Sequence, residues 1–298
     1  MIKAKSSPTN PLLIVSLKRP VLTGLVLMFI ALCFKFVDHF VLRLDERLGE
    51  IILSKSLGFV LVILFVWLAG RTLKDIGLHS KSLGTSVSIG VIVTVIAFIV
   101  GYGVDFFIQL HNQAQPTFLV DAIDSKAGVS GRLLFGVWLV LGNFINAFME
   151  EGLFRGVMIR LFRVKLNFWR TNWLQAFLFG IWHLPWVLKY LQMGTIETTG
   201  EILFAVFSNS VPQLLMGMIW GYLFLKTGNL WAPWAAHVLA NSVGNLLHIT
   251  SLNGLDSGFA LRMAIYTVAA LLCMFLVKHL AERNRMSEVK PWGEWASP

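Results

Sequence analysis

The sequence predicts an all-α, polytopic membrane bundle of about eight spans. Hydrophobic residues make up 56% of the 298-residue chain and charged residues only 14%, against about 25% charged in soluble domains. Apolar runs recur at about the 20-residue length that crosses the hydrocarbon core. Lysine and arginine gather in alternate loops between those runs, as they do on the cytoplasmic side of membranes.

Residues 1–19 read as a cytosolic segment. It holds Lys3, Lys5, Lys18 and Arg19, and Pro8 and Pro11 oppose a regular helix there. The run from Pro20 is too long for the core of a cleaved signal, and no clear cleavage site follows it. It is expected to stay as a span. The eight expected spans cover 20–40, 51–70, 84–108, 132–160, 172–192, 201–226, 230–250 and 259–280, within one transmembrane domain over 20–281. The sixth carries Ser208-Asn-Ser-Val-Pro212-Gln213, polar for a span. A proline there is tolerated if neighbours satisfy the freed carbonyl. Gly217 and Gly221 make a small-xxx-small pair, read as a packing face. The connector 71–86 reads as amphipathic, and 109–131, with Pro116, as a long external loop. The polar tail 282–298, with Trp292 and Trp295, is expected in the cytosol, near the interface.

Basic residues follow alternate runs: Arg71, Lys74 and Lys81; Arg160, Arg163, Lys165 and Arg170; Lys226; and Lys278, Arg283, Arg285 and Lys290. This bias puts both termini in the cytosol, with the chain in the plasma membrane. The net charge of +9 is then topology, and no nucleic-acid motif accompanies it. Cys33 and Cys273 lie in apolar runs and indicate neither a disulfide framework nor a cysteine-ligated metal.

One stretch, Phe148-Met-Glu-Glu-Gly-Leu-Phe-Arg-Gly-Val157, stands out. A carboxylate in mid-membrane costs about 2.5–3.5 kcal/mol even on a lenient scale, and here three ionisable groups fall within six residues. Glu151 and Arg155 are four apart and pair on one helical face. Glu150 points about 100° away and has no partner at i±4, where Asn146 and Phe154 stand. Two other spans carry Phe179-Gly-Ile-Trp-His183 and His237-Val-Leu-Ala-Asn241. Counting 1.5 Å per residue from the expected cytosolic ends puts Glu150 and His183 about 18 Å deep, His237 about 10 Å and Asn241 about 16 Å. Four polar groups on three spans therefore share one layer. Asn143, Asn146 and Asn245 are read as helix–helix glue or cavity lining. His248 is read as interfacial, and Trp182, Trp186, Trp231 and Trp234 largely as an aromatic belt.

Three chemistries suit such a layer. In hydrolysis, Glu150 is the base, His183 shares the attacking water, and Asn241, helped by His237, donates to the oxyanion. In a metal site, Glu150, His183 and His237 form a zinc-compatible set with one open position, although no His-Glu-x-x-His is present. In proton or ion coupling, the same groups form a relay. Other protease patterns fit less well. Gly101-Tyr-Gly103-Val-Asp105 is one residue off an aspartyl pattern, whose second aspartate would have to be Asp38. Gly128-Val-Ser130-Gly131 matches a short serine pattern but reads as a plain loop.

Glu150-Glu151-x-x-x-Arg155, Phe179-x-x-x-His183 and His237-x-x-x-Asn241, each on its own span, resemble the type II CAAX protease family, also called CPBP or Abi. The resemblance covers 144–247. It implies an all-helical intramembrane endopeptidase in which Glu150 activates water with His183, His237 and Asn241 stabilise the oxyanion, and Glu151 and Arg155 support the site. Zinc is the implied cofactor if the mechanism uses a metal. The expected partners are a peptide or membrane-anchored protein substrate and the lipid bilayer. A second reading is a non-catalytic bacteriocin-immunity or binding protein of the same fold. A third is a polar-cavity transporter, against which the chain lacks paired broken helices in repeated halves.

Overall fold

The structure is a computed structural model that describes residues 10–48, 51–124, 129–131 and 133–292. The helices are α1 (Pro11–Lys18), α2 (Pro20–Phe36, extended by a π-helical turn, Val37–Leu42), α3 (Leu44–Leu48), α4 (Ile52–Leu68) and α5 (Leu83–His111). They continue with α6 (Leu133–Glu150), a π-helical segment (Glu151–Ile159) and α7 (Arg160–Phe162), which run on as one rod, then α8 (Phe168–Ile181) and α9 (Pro185–Gln192). Last come α10 (Thr199–Thr227), α11 (Trp231–Leu246), α12 (Phe259–Leu272) and α13 (Met274–Arg283). A 3-10 turn, Leu73–Ile76, lies in the connector before α5. The fold is the all-α, polytopic bundle that the sequence predicts.

Each expected span lies largely on helix, the fifth broken in two and the seventh ending in a strand. Five stretches among the described residues are long and apolar enough to cross a membrane: Pro20–Leu42, Leu83–His111, Leu133–Phe162, Thr199–Thr227 and Phe259–Arg283. α4 is apolar but shorter. The fifth run breaks between α8 and α9 just before Pro185, whose ring cannot continue the hydrogen-bond ladder. α10 runs through Pro212 without interruption.

Two expectations at the chain ends change. Pro11 starts a helix, because the first helical position has no use for an N–H and Asn10 caps the turn by accepting from Leu13 N at 3.0 Å. The tail beyond α13 docks onto the bundle. Val289 N donates to Leu225 O at 3.0 Å. Trp292 is buried, stacks on Phe65 and donates from Nε1 to Asp75 O at 3.1 Å. Burying an indole while satisfying its N–H outweighs an interfacial position. Residues 1–9 and Trp295 lie outside the described residues.

The expected external loop holds strands: β1 (Thr117–Val120), β2 (Ala122–Asp124) and β3 (Val129–Gly131). After α11 come β4 (Leu247–Ser251) and β5 (Gly254–Leu255). β1 pairs antiparallel with β4, Thr117 opposite Thr250 and Val120 opposite Leu247, and β4 pairs with β5. β2 pairs with β3. The seventh run thus leaves helix at Leu246, where β-branched residues favour an extended backbone. Ser130 of the short serine pattern sits in β3, and Gly128 lies outside the described residues.

An ion network pins this hairpin layer to the helices. Arg262 donates to Asp105 Oδ2 at 3.0 Å and to Asp256 Oδ1 at 2.6 Å. His248 Nδ1 meets Asp256 Oδ2 at 2.6 Å, and Nε2 meets Asn245 O at 3.2 Å. His248 is therefore buried in this network, not interfacial. Asp105, paired with Arg262 and taking Gln109 Nε2 at 2.8 Å, is a structural residue.

Small residues bring the site helices together. A Cβ on Gly90 of α5 would sit 2.1 Å from Ala232 O of α11. On Gly221 of α10 it would sit 2.0 Å from Asn172 Oδ1 of α8. Asn172 Nδ2 and Gln175 Nε2 donate across that crossing to Met218 O and Gly217 O at 2.9 and 2.8 Å. Gly217 and Gly221 form the packing face that their spacing suggests.

Candidate active site

Glu150 ends α6, and Glu151 opens the π-helical segment. A π-turn bonds i to i+5, so each residue rotates the chain less than in an α-helix. The two carboxylates accordingly diverge less than the α-helical spacing predicts. One imidazole reaches both: His237 Nδ1 is 2.8 Å from Glu151 Oε1, and Nε2 is 3.6 Å from Glu150 Oε2. The first is a hydrogen bond; the second is beyond hydrogen-bond reach.

Glu151 and Arg155 pair as expected, with Nη1 3.1 Å from Oε1 and both side chains fully buried. The contact is ionic. None of the three Arg155 nitrogens meets hydrogen-bond geometry among the described residues, and Glu151 Oε2 is also without a partner there. The guanidinium instead lies in an aromatic cage, with its carbon 4.2 Å from the Phe179 ring centre, 5.4 Å from Trp220 and 5.9 Å from Phe154. Trp220 also stacks on His237, centroids 4.1 Å apart and planes at 17°.

Glu150 is held from a second side. Trp182 Nε1 donates to its Oε1 at 2.8 Å. Lys35 of α2 donates to Trp182 O at 3.0 Å and lies 4.5 Å from the Trp182 ring centre. The charge-bearing neighbours of Glu150 are His183, His237 and Lys35. His183 is buried near the end of α8, with Nδ1 2.8 Å from Phe179 O. That bond requires the proton on Nδ1 and leaves Nε2 as the basic nitrogen. Asn241 lies one turn beyond His237 on α11, half-buried, and its side chain makes no hydrogen bond among the described residues.

The structure therefore brings Glu151, Arg155, His183 and His237 together with Glu150, while Asn241 lies one turn along α11 from His237. It adds Lys35, Trp182 and Trp220. Trp182 was expected in an aromatic belt, but it is buried against Glu150. Lys35 was legible: it is a lone lysine in the first apolar run, about 22 Å from that run's basic end at 1.5 Å per residue. By that count its depth is within about 4 Å of that of Glu150. Asn143 Nδ2 donates to Asn245 Oδ1 at 3.0 Å and joins α6 to α11 as helix–helix glue.

Glu150, His183 and His237 were the expected zinc ligands. No group of three or more His, Cys, Asp or Glu side chains among the described residues is arranged to hold a metal ion. His237 Nδ1 meets Glu151, His183 Nδ1 meets Phe179 O and Trp182 holds one Glu150 oxygen, which leaves Nε2 of each imidazole and the second Glu150 oxygen.

Residues 132–243 match the family model for Rce1-like type II CAAX prenyl endopeptidases. This segment, well under half of the chain, is similar to the CAAX protease-like family. It contains Glu150, Glu151, Arg155, His183, His237 and Asn241. No curated protein matches the chain. The five long apolar helices make the chain an integral membrane protein, and its matched segment is similar to CAAX-protease-like endopeptidases.

Proposed function

We propose that the protein is an intramembrane endopeptidase that hydrolyses a peptide bond of a membrane-associated peptide or protein near the cytosolic face. The basic end of the bundle then faces the cytosol, with both termini there and the chain in the plasma membrane. The observation that carries the reading is the setting of Glu150. One oxygen is fixed by an indole N–H at 2.8 Å. The other faces an imidazole at 3.6 Å, a gap that leaves this oxygen without a close donor among the described residues. A carboxylate so oriented is ready to take a proton from water.

Glu150 removes that proton as the water oxygen bonds to the scissile carbonyl carbon. His183 accepts the second water hydrogen bond through Nε2 and orients the nucleophile. The Asn241 amide, which has no other partner among the described residues, donates to the oxyanion. Glu150 then passes its proton to the departing amine as the carbon–nitrogen bond breaks. His237 keeps its place through Glu151, which Arg155 balances, so these three position the site. Lys35 and Trp182 do the same for Glu150. No step of this reading runs through a metal.

The test is a comparison of protein C-termini in cells carrying wild type or Glu150→Gln. The reading expects a set of new C-termini that vanishes in the variant. Identical sets, with both proteins inserted and folded, would overturn it in favour of a non-catalytic binding or immunity role.

A further inference from the structure

At the basic end of the bundle lies a cavity of about 580 Å³. Its walls come from the 3-10 turn, the approach to α5, the ends of α7 and α10, and the docked tail. Lys74, Lys81, Arg160, Arg285 and Lys290 line it, against two acids, Asp75 and Glu288.

Both acids are committed. Asp75 Oδ2 accepts from Thr72 N at 2.7 Å and Thr72 Oγ1 at 2.9 Å, closing a capping box, and is the acid whose charge acts on Arg160. Glu288 pairs with Lys226. Lys74, Lys81, Arg285 and Lys290 make no ion pair among the described residues. Ser80 and Ser82 add hydroxyls that make no hydrogen bond there. Four cations and two hydroxyls that are unpaired among the described residues, around one hollow, are the complement of a compact, multiply charged oxyanion.

The level of the cavity narrows the source. Arg160 and Thr227 close two membrane-length helices, so the hollow opens where headgroup phosphates lie. Basic pockets between helices on this side of a membrane take anionic headgroups. We propose that the cavity binds a phosphate group, carried by an anionic phospholipid headgroup or by a soluble phosphate. Bound there, the phosphate ties the connector, α10 and the tail together at the foot of the Glu150 rod. The proposal is independent of the peptidase reading.

The full chain, in nanodiscs of phosphatidylcholine alone or with phosphatidylglycerol, is compared with Lys81→Gln/Lys290→Gln by thermal unfolding. Inorganic phosphate is titrated separately by calorimetry. Both substituted lysines are exposed and stand outside the catalytic set. A second pair, Lys74→Gln/Arg285→Gln, serves if the first fails to fold. A headgroup source predicts a rise in Tm of several degrees with phosphatidylglycerol that falls by at least half in the variants. A soluble source predicts saturable binding of inorganic phosphate, weakened at least tenfold in the variants, with no lipid effect. No response to either probe, or variants that respond as wild type does, would overturn the proposal.

Discussion

Two buried clusters of carboxylate, histidine and arginine stand in this bundle, and they are closed to different degrees. At the hairpin end every carboxylate oxygen is taken, and only Arg262 Nε is left without a partner among the described residues. Asp105 receives Gln109 and Arg262, while Asp256 receives Arg262, His248 and the Ile249 N–H. His248 engages both ring nitrogens. Around Glu150 the same residue types leave capacity over. Glu151 Oε2 and all three Arg155 nitrogens fall outside hydrogen-bond geometry among the described residues. The Glu150–His237 contact is long at 3.6 Å, and the Asn241 amide is unengaged there. Buried polar groups are normally satisfied, so leftover capacity needs an explanation. The first cluster is a pin. The second keeps donors and acceptors in reserve, as a reaction centre must.

Substitution at Glu150 gives the largest contrast. Glu150→Gln keeps the shape and the Trp182 hydrogen bond but removes the base, so turnover falls about 10²–10⁴-fold. Tm in detergent stays unchanged. Asp105→Asn at the pin does the reverse, lowering Tm while the folded protein stays active. Loss of turnover without loss of stability at both sites would erase the distinction.

Arg155→Ala leaves Glu151 buried without its counter-charge, a change that costs about 3–5 kcal/mol. Arg262→Ala leaves Asp105 in the same position and costs a similar amount. Activity per folded molecule separates them, since only Arg155→Ala also releases His237. Equal activity in the two variants would make both clusters pins.

Lys35→Met tests whether the reserve extends to α2. It removes a hydrogen bond from a charged donor, worth about 1.5–3 kcal/mol, and a cation beside Glu150. If that stabilisation is felt in the transition state, kcat drops roughly 10- to 150-fold. A kcat within twofold of wild type would remove Lys35 from the site.

Acid gives the smallest effect, and it falls on the pin. Burial raises the Asp256 carboxyl, but hydrogen bonds from His248, Arg262 and the Ile249 N–H outweigh it and hold its pKa below the ordinary 3.8. Asp45 behaves alike, with burial outweighed by His39 and Lys189. A depressed carboxylate contributes stability that is fully present above pH 3.8 and is lost as pH falls through the lower folded value. Tm should therefore hold down to about pH 4 and decline below it, less steeply in Asp256→Asn. An Asp256→Asn curve parallel to wild type would contradict this.

Much of the site was legible because its signals are positional. Glu151 and Arg155 are four apart, and a four-residue spacing reads directly as a pair even where the backbone turns π. Depth counted from the basic ends brought His183 and His237 to Glu150 without any contact being known. The same count brings Lys35 to within about 4 Å of that depth. Trp182 was hidden because an indole near a span end looks the same whether it faces lipid or donates to a buried carboxylate. The π-helical segment has no residue signature, so the approach of Glu150 to Glu151 around His237 was invisible. The strands are two to five residues long and bordered by helix, too short for an alternating pattern to show. Trp292 docks through a single buried ring in a polar tail, which composition averages away.

The central claim is that Glu150 is the working carboxylate and Glu151 its support. The most direct test is turnover and Tm measured together for wild type, Glu150→Gln and Glu151→Gln, on a peptide spanning a cleavage site found from cellular C-termini. The account predicts that Glu150→Gln loses turnover at unchanged Tm, whereas Glu151→Gln loses Tm along with part of its turnover. Wild-type turnover in Glu150→Gln would contradict it.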